Sequence, residues 1–284
     1  MPRYTATLLC SALSLTAAIG MPHLHAETLP SLPDTCFTYH LEAPQRSAHG
    51  FTASSLHASL TGTGATLTTG PVRVNDTDNT FSSAELETLN AATAFAALSL
   101  VQGKPSASCH LNLPPPHGSL SVHWHNTLIT NAHHTININD LTLTESERNK
   151  NIHAQIALEG VKDSTTTLIP SQLTTDLSIQ SHTSTPFITI NSLHATNGTN
   201  ALTGTGTVQT ATNPLASTVD LHISLTNVDD LLGQLRQTAP ARVTTALTIA
   251  RLMGRANGNT TEWDIGLHNG VATINNVPLP LPTH

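Results

Sequence analysis

Charged side chains are scarce in this chain: aspartate, glutamate, lysine and arginine make up only 10% of its 284 residues. Acids outnumber bases 18 to 11, which leaves no basic patch for a phosphate backbone or an anionic lipid surface and argues against nucleic acid as a partner. Aromatic residues reach only 3%, so a core has to be built from small aliphatic side chains. Cysteine occurs three times and never as Cys-x-x-Cys, which argues against dithiol exchange. There is no Gly-x-Ser-x-Gly elbow, no His-Glu-x-x-His and no glycine-rich phosphate loop opening a helix. The few acids are scattered through turns and helix starts, without the facing carboxylates of glycoside hydrolysis. The chain reads as non-enzymatic. Beyond residue 26 no stretch is long and apolar enough for a membrane helix.

Residues 1–26 read as a cleavable secretory signal. Arg3 supplies the positive start, and Thr7–Ile19 is an apolar run too short to span a bilayer. Leu24-His-Ala26 offers a small residue before a mature start at Glu27, with Gly20 as the competing site. Leu8-Leu9-Cys10 lacks the small residue expected before a lipidated cysteine. These features imply export to the periplasm. Cleavage leaves Cys36 and Cys109, an even pair that an oxidising compartment would close into a disulfide.

What is abundant is histidine, with 17 residues, 15 of them after residue 26. With histidine neutral, the mature chain carries −8; with every histidine protonated, +7. Histidine, threonine and asparagine also serve as polar surface filler in place of lysine and glutamate, so abundance alone assigns no function.

One-sided alternation dominates the pattern. Strands are expected at Cys36–Ala43, Gly50–Leu60 and Ala65–Asn75, then at intervals from Cys109 to about Ile190. Ser82-Ser-Ala-Glu85 is a capping box opening a helix through Leu86, Leu89, Ala92, Ala96 and Leu100, which Gly103 and Pro105 stop. Leu120, Val122 and Trp124 point one way, and Ser121, His123 and His125 the other. Further on, Ile136 and Ile138 alternate, then Leu141 and Leu143 continue on the opposite parity, so an irregular step falls at Asn139-Asp140.

The last third organises the chain. Strands Ala201–Ala211 and Ser217–Thr226 lead into a helical hairpin, Val228–Gln237 and Ala241–Met253, with Asn227 as its cap and Gly254 at its end. Strands Thr261–His268 and Val271–Val277 follow, joined by the tight turn His268-Asn-Gly270. Ser55-Leu-His-Ala58 with Leu60-Thr-Gly-Thr-Gly64 is echoed by Ser192-Leu-His-Ala195 with Leu202-Thr-Gly-Thr-Gly206. The expected fold is mainly β (α+β): an elongated, curved antiparallel sheet with a few helices packed on one face. It forms one β-rich domain over 27–284, with 27–145 and 146–284 as related halves. A β-sandwich fits the strands too, but helices flanked by strands in both halves favour the curved sheet.

Two features carry binding chemistry. His123 and His125, two apart on a strand, share a face and can approach one Zn or Cu ion, and a neighbouring strand would bring His133 or His134 alongside, with His117 nearby. The apolar interior can instead hold an acyl chain, if the helices leave it open.

The C-terminal block, from Leu202-Thr-Gly-Thr-Gly206 through Val228-Asp-Asp-Leu-Leu232, Asn257-Gly258, Trp263–Leu267 and Asn269-Gly270 to Val277-Pro-Leu-Pro-Leu-Pro282, resembles a domain-of-unknown-function family of alphaproteobacterial envelope proteins. The likeness covers about Ala201–Pro282, and Asn275-Asn276 stand where that family usually has a glycine. The resemblance implies an exported, non-enzymatic envelope protein and brings no site residues with it. The leading expectation is a binding or structural role in the envelope with a lipidic or apolar ligand. The alternative is a histidine-based Zn or Cu protein, and the third reading is a hydrolase of unrecognised type.

Overall fold

The computed structural model describes residues 36–102, 118–132, 134–148, 151–166, 169–180, 186–211, 216–238 and 241–279. Strands dominate, all paired antiparallel, with three helices among the described residues. The chain falls into two compact units, Met1–Thr167 and Leu168–His284. The division lies later than the 145/146 boundary drawn from the sequence. Cys109 lies outside the described residues, and with it the expected Cys36–Cys109 bridge.

Unit 1 is a six-line meander. Its lines are β1 (Phe37–Glu42) with β2 (Gln45–Ser47), β3 (Gly50–Ala53) with β4 (Ser55–Leu60), β5 (Ala65–Thr69) with β6 (Val72–Asp76), β7 (Ser119–Thr130), β8 (Thr135–Arg148), and β9 (Asn151–Glu159) with β10 (Lys162–Asp163). Each line pairs with the next. Helix α1 (Ser83–Gln102) is inserted between the third and fourth lines.

α1 begins as its capping box requires. The Glu85 carboxylate accepts from the Ser82 backbone N–H at 2.7 Å, and the Glu85 N–H donates back to Ser82 Oγ at 3.3 Å. Ala91, Ala92 and Ala94–Leu98 are all buried, as an all-round apolar helix demands, and α1 lies against β3–β7. Phe95 meets Phe37 edge-on with ring centroids 5.5 Å apart. Asn90, fully buried, donates to the Tyr39 hydroxyl at 2.7 Å and accepts from Trp124 Nε1 at 2.8 Å, tying β1, α1 and β7 together.

A seam crosses this sheet. In the second to sixth lines the buried positions change parity at one level: Phe51 and Ala53 to Leu56 and Ala58; Leu67 and Thr69 to Val72 and Val74; Val122 and Trp124 to Thr127 and Ile129; Ile138 to Leu141; Ile156 to Val161. At the switch two successive residues stay off the buried face, namely Ser54-Ser55, Gly70-Pro71, His125-Asn126, Asn139-Asp140 and Glu159-Gly160. The first line breaks at the same level, at Ala43 (φ 46°). Neighbouring switches touch, since Gly70 N–H donates to His125 O at 2.8 Å and His125 N–H to Pro71 O at 3.1 Å. Register between β7 and β8 continues through the seam, from Trp124↔Leu141 and His125↔Asp140 to Thr127↔Ile138. The irregular step read at Asn139-Asp140 is thus one strand's share of a feature common to the neighbouring lines of unit 1.

Unit 2 contains β11 (Gln172–Gln180), β12 (Phe187–Asn197), β13 (Asn200–Gln209), β14 (Thr218–Thr226), α2 (Val228–Thr238), α3 (Ala241–Met253), β15 (Arg255–Asn257), β16 (Thr260–His268), β17 (Val271–Ile274) and β18 (Val277–Pro278). β11 to β14 pair in order, and β16 continues after the helical hairpin. Val228, Leu232 and Trp263 form the core there, with Ile223, Leu225, Leu247, Ile265 and Ile274 packed around them.

Three local expectations change. The Asn227 side chain donates to Thr199 O at 2.7 Å rather than capping, and its backbone carbonyl accepts from Asp230 and Leu231. Gly254 follows the last residue of α3 as expected, but space and not a left-handed φ requires glycine there, since a Cβ would lie 2.2 Å from Thr261 Cγ2 and 2.9 Å from Trp263 Nε1. The sequence echo joins unlike structures. Gly62 and Gly64 turn between β4 and β5, whereas Gly204 and Gly206 lie inside β13, where a Cβ on Gly206 would sit 2.1 Å from Asp220 O.

Candidate metal centre

The outward face of unit 1 gathers one group of metal-ligating side chains. Even positions of β7 up to Trp124 bury apolar residues against α1, so His123 and His125 project from the opposite face. Two positions apart on one strand, their rings stand with centroids 4.3 Å apart. The third member, Asp140, comes from β8 and is the direct cross-strand partner of His125.

One nitrogen of each imidazole and one Asp140 oxygen lie within 4.8 Å of one another. His123 Nε2 is 3.5 Å from Asp140 Oδ1, and His125 Nδ1 contacts the same oxygen. A tetrahedral ion with bonds of about 2.0–2.1 Å separates its ligand atoms by about 3.3 Å, so the His123–Asp140 spacing already fits. An incoming cation would replace the contact between His125 and Asp140, the carboxylate turning from imidazole to metal. The side chains of His123, His125 and Asp140 are 32, 46 and 37% exposed, so an ion reaches them without the protein opening.

Of the other histidines read from the sequence, the described one, His134, does not join this group. His134 lies at the far end of the β7–β8 hairpin, where its Nδ1 is 2.9 Å from Thr165 Oγ1 and 3.6 Å from the buried Asp163 carboxylate. Five strand positions separate Thr130↔Thr135, the hairpin's last pair, from His125↔Asp140, or about 17 Å at the usual rise. His133 and His117 lie outside the described residues. Among the described residues the group expected of His123, His125 and His133 or His134 is therefore two histidines and an aspartate. Asp140 was missed because acids looked sparse and scattered. The signal was nevertheless present: His125 precedes the last pair of the hairpin by five residues and Asp140 follows it by five.

Unit 2 repeats the pairing of histidine with carboxylate. His222 Nδ1 is 2.8 Å from Asp264 Oδ1, and His268 Nε2 is 2.8 Å from Asp220 Oδ1. The hydrogen bond from His222, then the Arg255 guanidinium, holds the Asp264 carboxyl below the usual range. Only His123, His125 and Asp140 converge on a common point among the described residues. No family model, curated protein or solved structure matches the chain.

Proposed function

We propose that this is an exported, non-enzymatic envelope protein that binds a divalent transition-metal ion at His123, His125 and Asp140. The observation that carries this reading is the convergence of two imidazole nitrogens and a carboxylate oxygen within 4.8 Å on an accessible sheet face. Two imidazoles and a carboxylate, with no sulfur, suit Zn(II) or Cu(II) and disfavour Cu(I). The signal-like residues 1–26 support delivery to the periplasm, where such an ion is met without a cytosolic thiol pool. An apolar ligand is the weaker reading, because α1 itself occupies the inner face of β3–β7.

Native mass spectrometry of the mature protein purified from its own periplasm, with and without chelator, tests the proposal. A single Zn- or Cu-sized increment, removed by chelator and lost in His123→Ala/His125→Ala, is expected. An increment that survives in the double variant would assign binding to the surplus histidines, and a bare chain under saturating Zn(II) and Cu(II) would end the metal reading. A lipid-sized mass lost on denaturation but not on chelation would restore the apolar ligand. The same spectrum, two hydrogens light, reports the Cys36–Cys109 bridge.

A further inference from the structure

We propose that Glu159 is the fourth protein ligand and closes the metal site; this inference rests on the metal reading of His123, His125 and Asp140. Asp140 sits in the middle of a transverse row, with His125 directly across on β7 and Glu159 directly across on β9. Directly opposed residues have Cβ atoms about 4.5–5.5 Å apart. A glutamate turning about its side-chain bonds covers that gap easily, and Glu159 is exposed on the strand surface.

The charge pattern points the same way. Two carboxylates directly opposite each other on neighbouring strands repel and destabilise the pair unless a cation lies between them. Among the described residues Glu159 has no ion pair, while Asp140 is already engaged by both histidines. A divalent ion seated above Asp140 would turn this repulsion into attraction and be neutralised by the two carboxylates. The four donors then come from β7, β8 and β9, two nitrogens and two oxygens with a formal charge of zero around the ion. Such a set holds Zn(II) or Cu(II) in the closed, four-ligand manner of structural sites and leaves no position for a catalytic water. The site would store or pass on a metal, or brace three strands at the seam, without hydrolysing anything.

Competitive titration of the full mature chain with Zn(II) against a chromophoric chelator tests this, with Co(II) spectra as a second readout. Wild type, Glu159→Gln and the distant control Glu42→Gln are compared. A loss of affinity beyond the roughly 10- to 100-fold typical of removing an outer-shell partner is expected for Glu159→Gln, with Glu42→Gln unchanged. The Co(II) complex should change from the intense visible bands of tetrahedral coordination to the weak bands of a higher, water-completed geometry. Glu159→Gln titrating like wild type, with an unchanged Co(II) spectrum, overturns the fourth ligand and leaves the three-residue site standing. An affinity loss without a spectral change assigns Glu159 to the local field and also overturns it. Failure of the wild type to bind Zn(II) or Co(II) removes the three-residue reading itself.

Discussion

Asn90 shows how much one polar residue can hold in a core of small aliphatic side chains. It satisfies Trp124 Nε1 and the Tyr39 hydroxyl at once, and burial pushes the Tyr39 phenol well above its ordinary range. Asn90→Ala leaves the buried Trp124 Nε1 unpaired and removes the donor from the half-buried Tyr39 hydroxyl, which should cost about 2–4 kcal/mol in a denaturant titration; Asn90→Asp should cost at least as much, by burying a charge. Glu145 sets a second residue-scale expectation. Burial, with Glu147 adding repulsion, raises its carboxyl from 4.5 to about 7. The folded state thus keeps a proton that the unfolded chain has released, so stability falls as pH rises from about 4.5 to 7 and is flat above. Glu145→Gln should abolish that slope and gain on the order of 2 kcal/mol at pH 8, read from thermal or urea midpoints at pH 5 and pH 8. Neither residue stood out in the sequence. Asn90 falls between the apolar positions that mark the helix, and Glu145 shares the parity of Leu141 and Leu143 without the apolar side chain that would mark it as facing inward.

At the scale of elements, local signals were reliable wherever a single segment determined them. The capping box at Ser82, the alternation through Trp124 and the Asn269-Gly270 turn, with φ of 52° and 75°, appear as the residues require. The seam was legible in one strand only, because its coherence depends on register, which no single segment carries. At Gly160, φ is +64°, and a Cβ there would lie 2.2 Å from Asn139 Nδ2. Gly160→Ala therefore meets both backbone strain and a side-chain clash, and should destabilise unit 1 by about 1–3 kcal/mol. Because Gly160 follows Glu159 and Asn139 precedes Asp140, the same variant should weaken Zn(II) binding. Gly62→Ala provides the comparison: it carries a similar positive φ, 75°, with nothing within 4 Å, and should cost less while leaving the metal unaffected.

At the scale of the whole molecule, sparse charge makes histidine the main determinant of sign. His40, His123, His125, His134, His222 and His268 all stand within 4.0 Å of a carboxylate, so many of the acids are placed against imidazoles. A chain lacking residues 1–26 should migrate as an anion at pH 8 and as a cation at pH 5, a reversal that native electrophoresis checks directly. Bound Zn(II) should be released over the same interval, since protons compete for the ligand nitrogens. Composition disclosed this capacity but not which histidines meet an acid, because the partners lie on neighbouring strands.

The seam also constrains the history of the chain. A residue deleted at Asn126 would shift the rest of β7 by one step, turning Thr127 and Ile129 outward while the adjoining lines kept their phase. Repair would need a matching deletion in each neighbour, so the crease behaves as a single hereditary unit written in six separate places. Descendants are expected to keep the paired outward residues of the second to sixth lines together, or to have lost the crease from all of them. Lengths should drift instead in the connecting turns, where one insertion needs no partner.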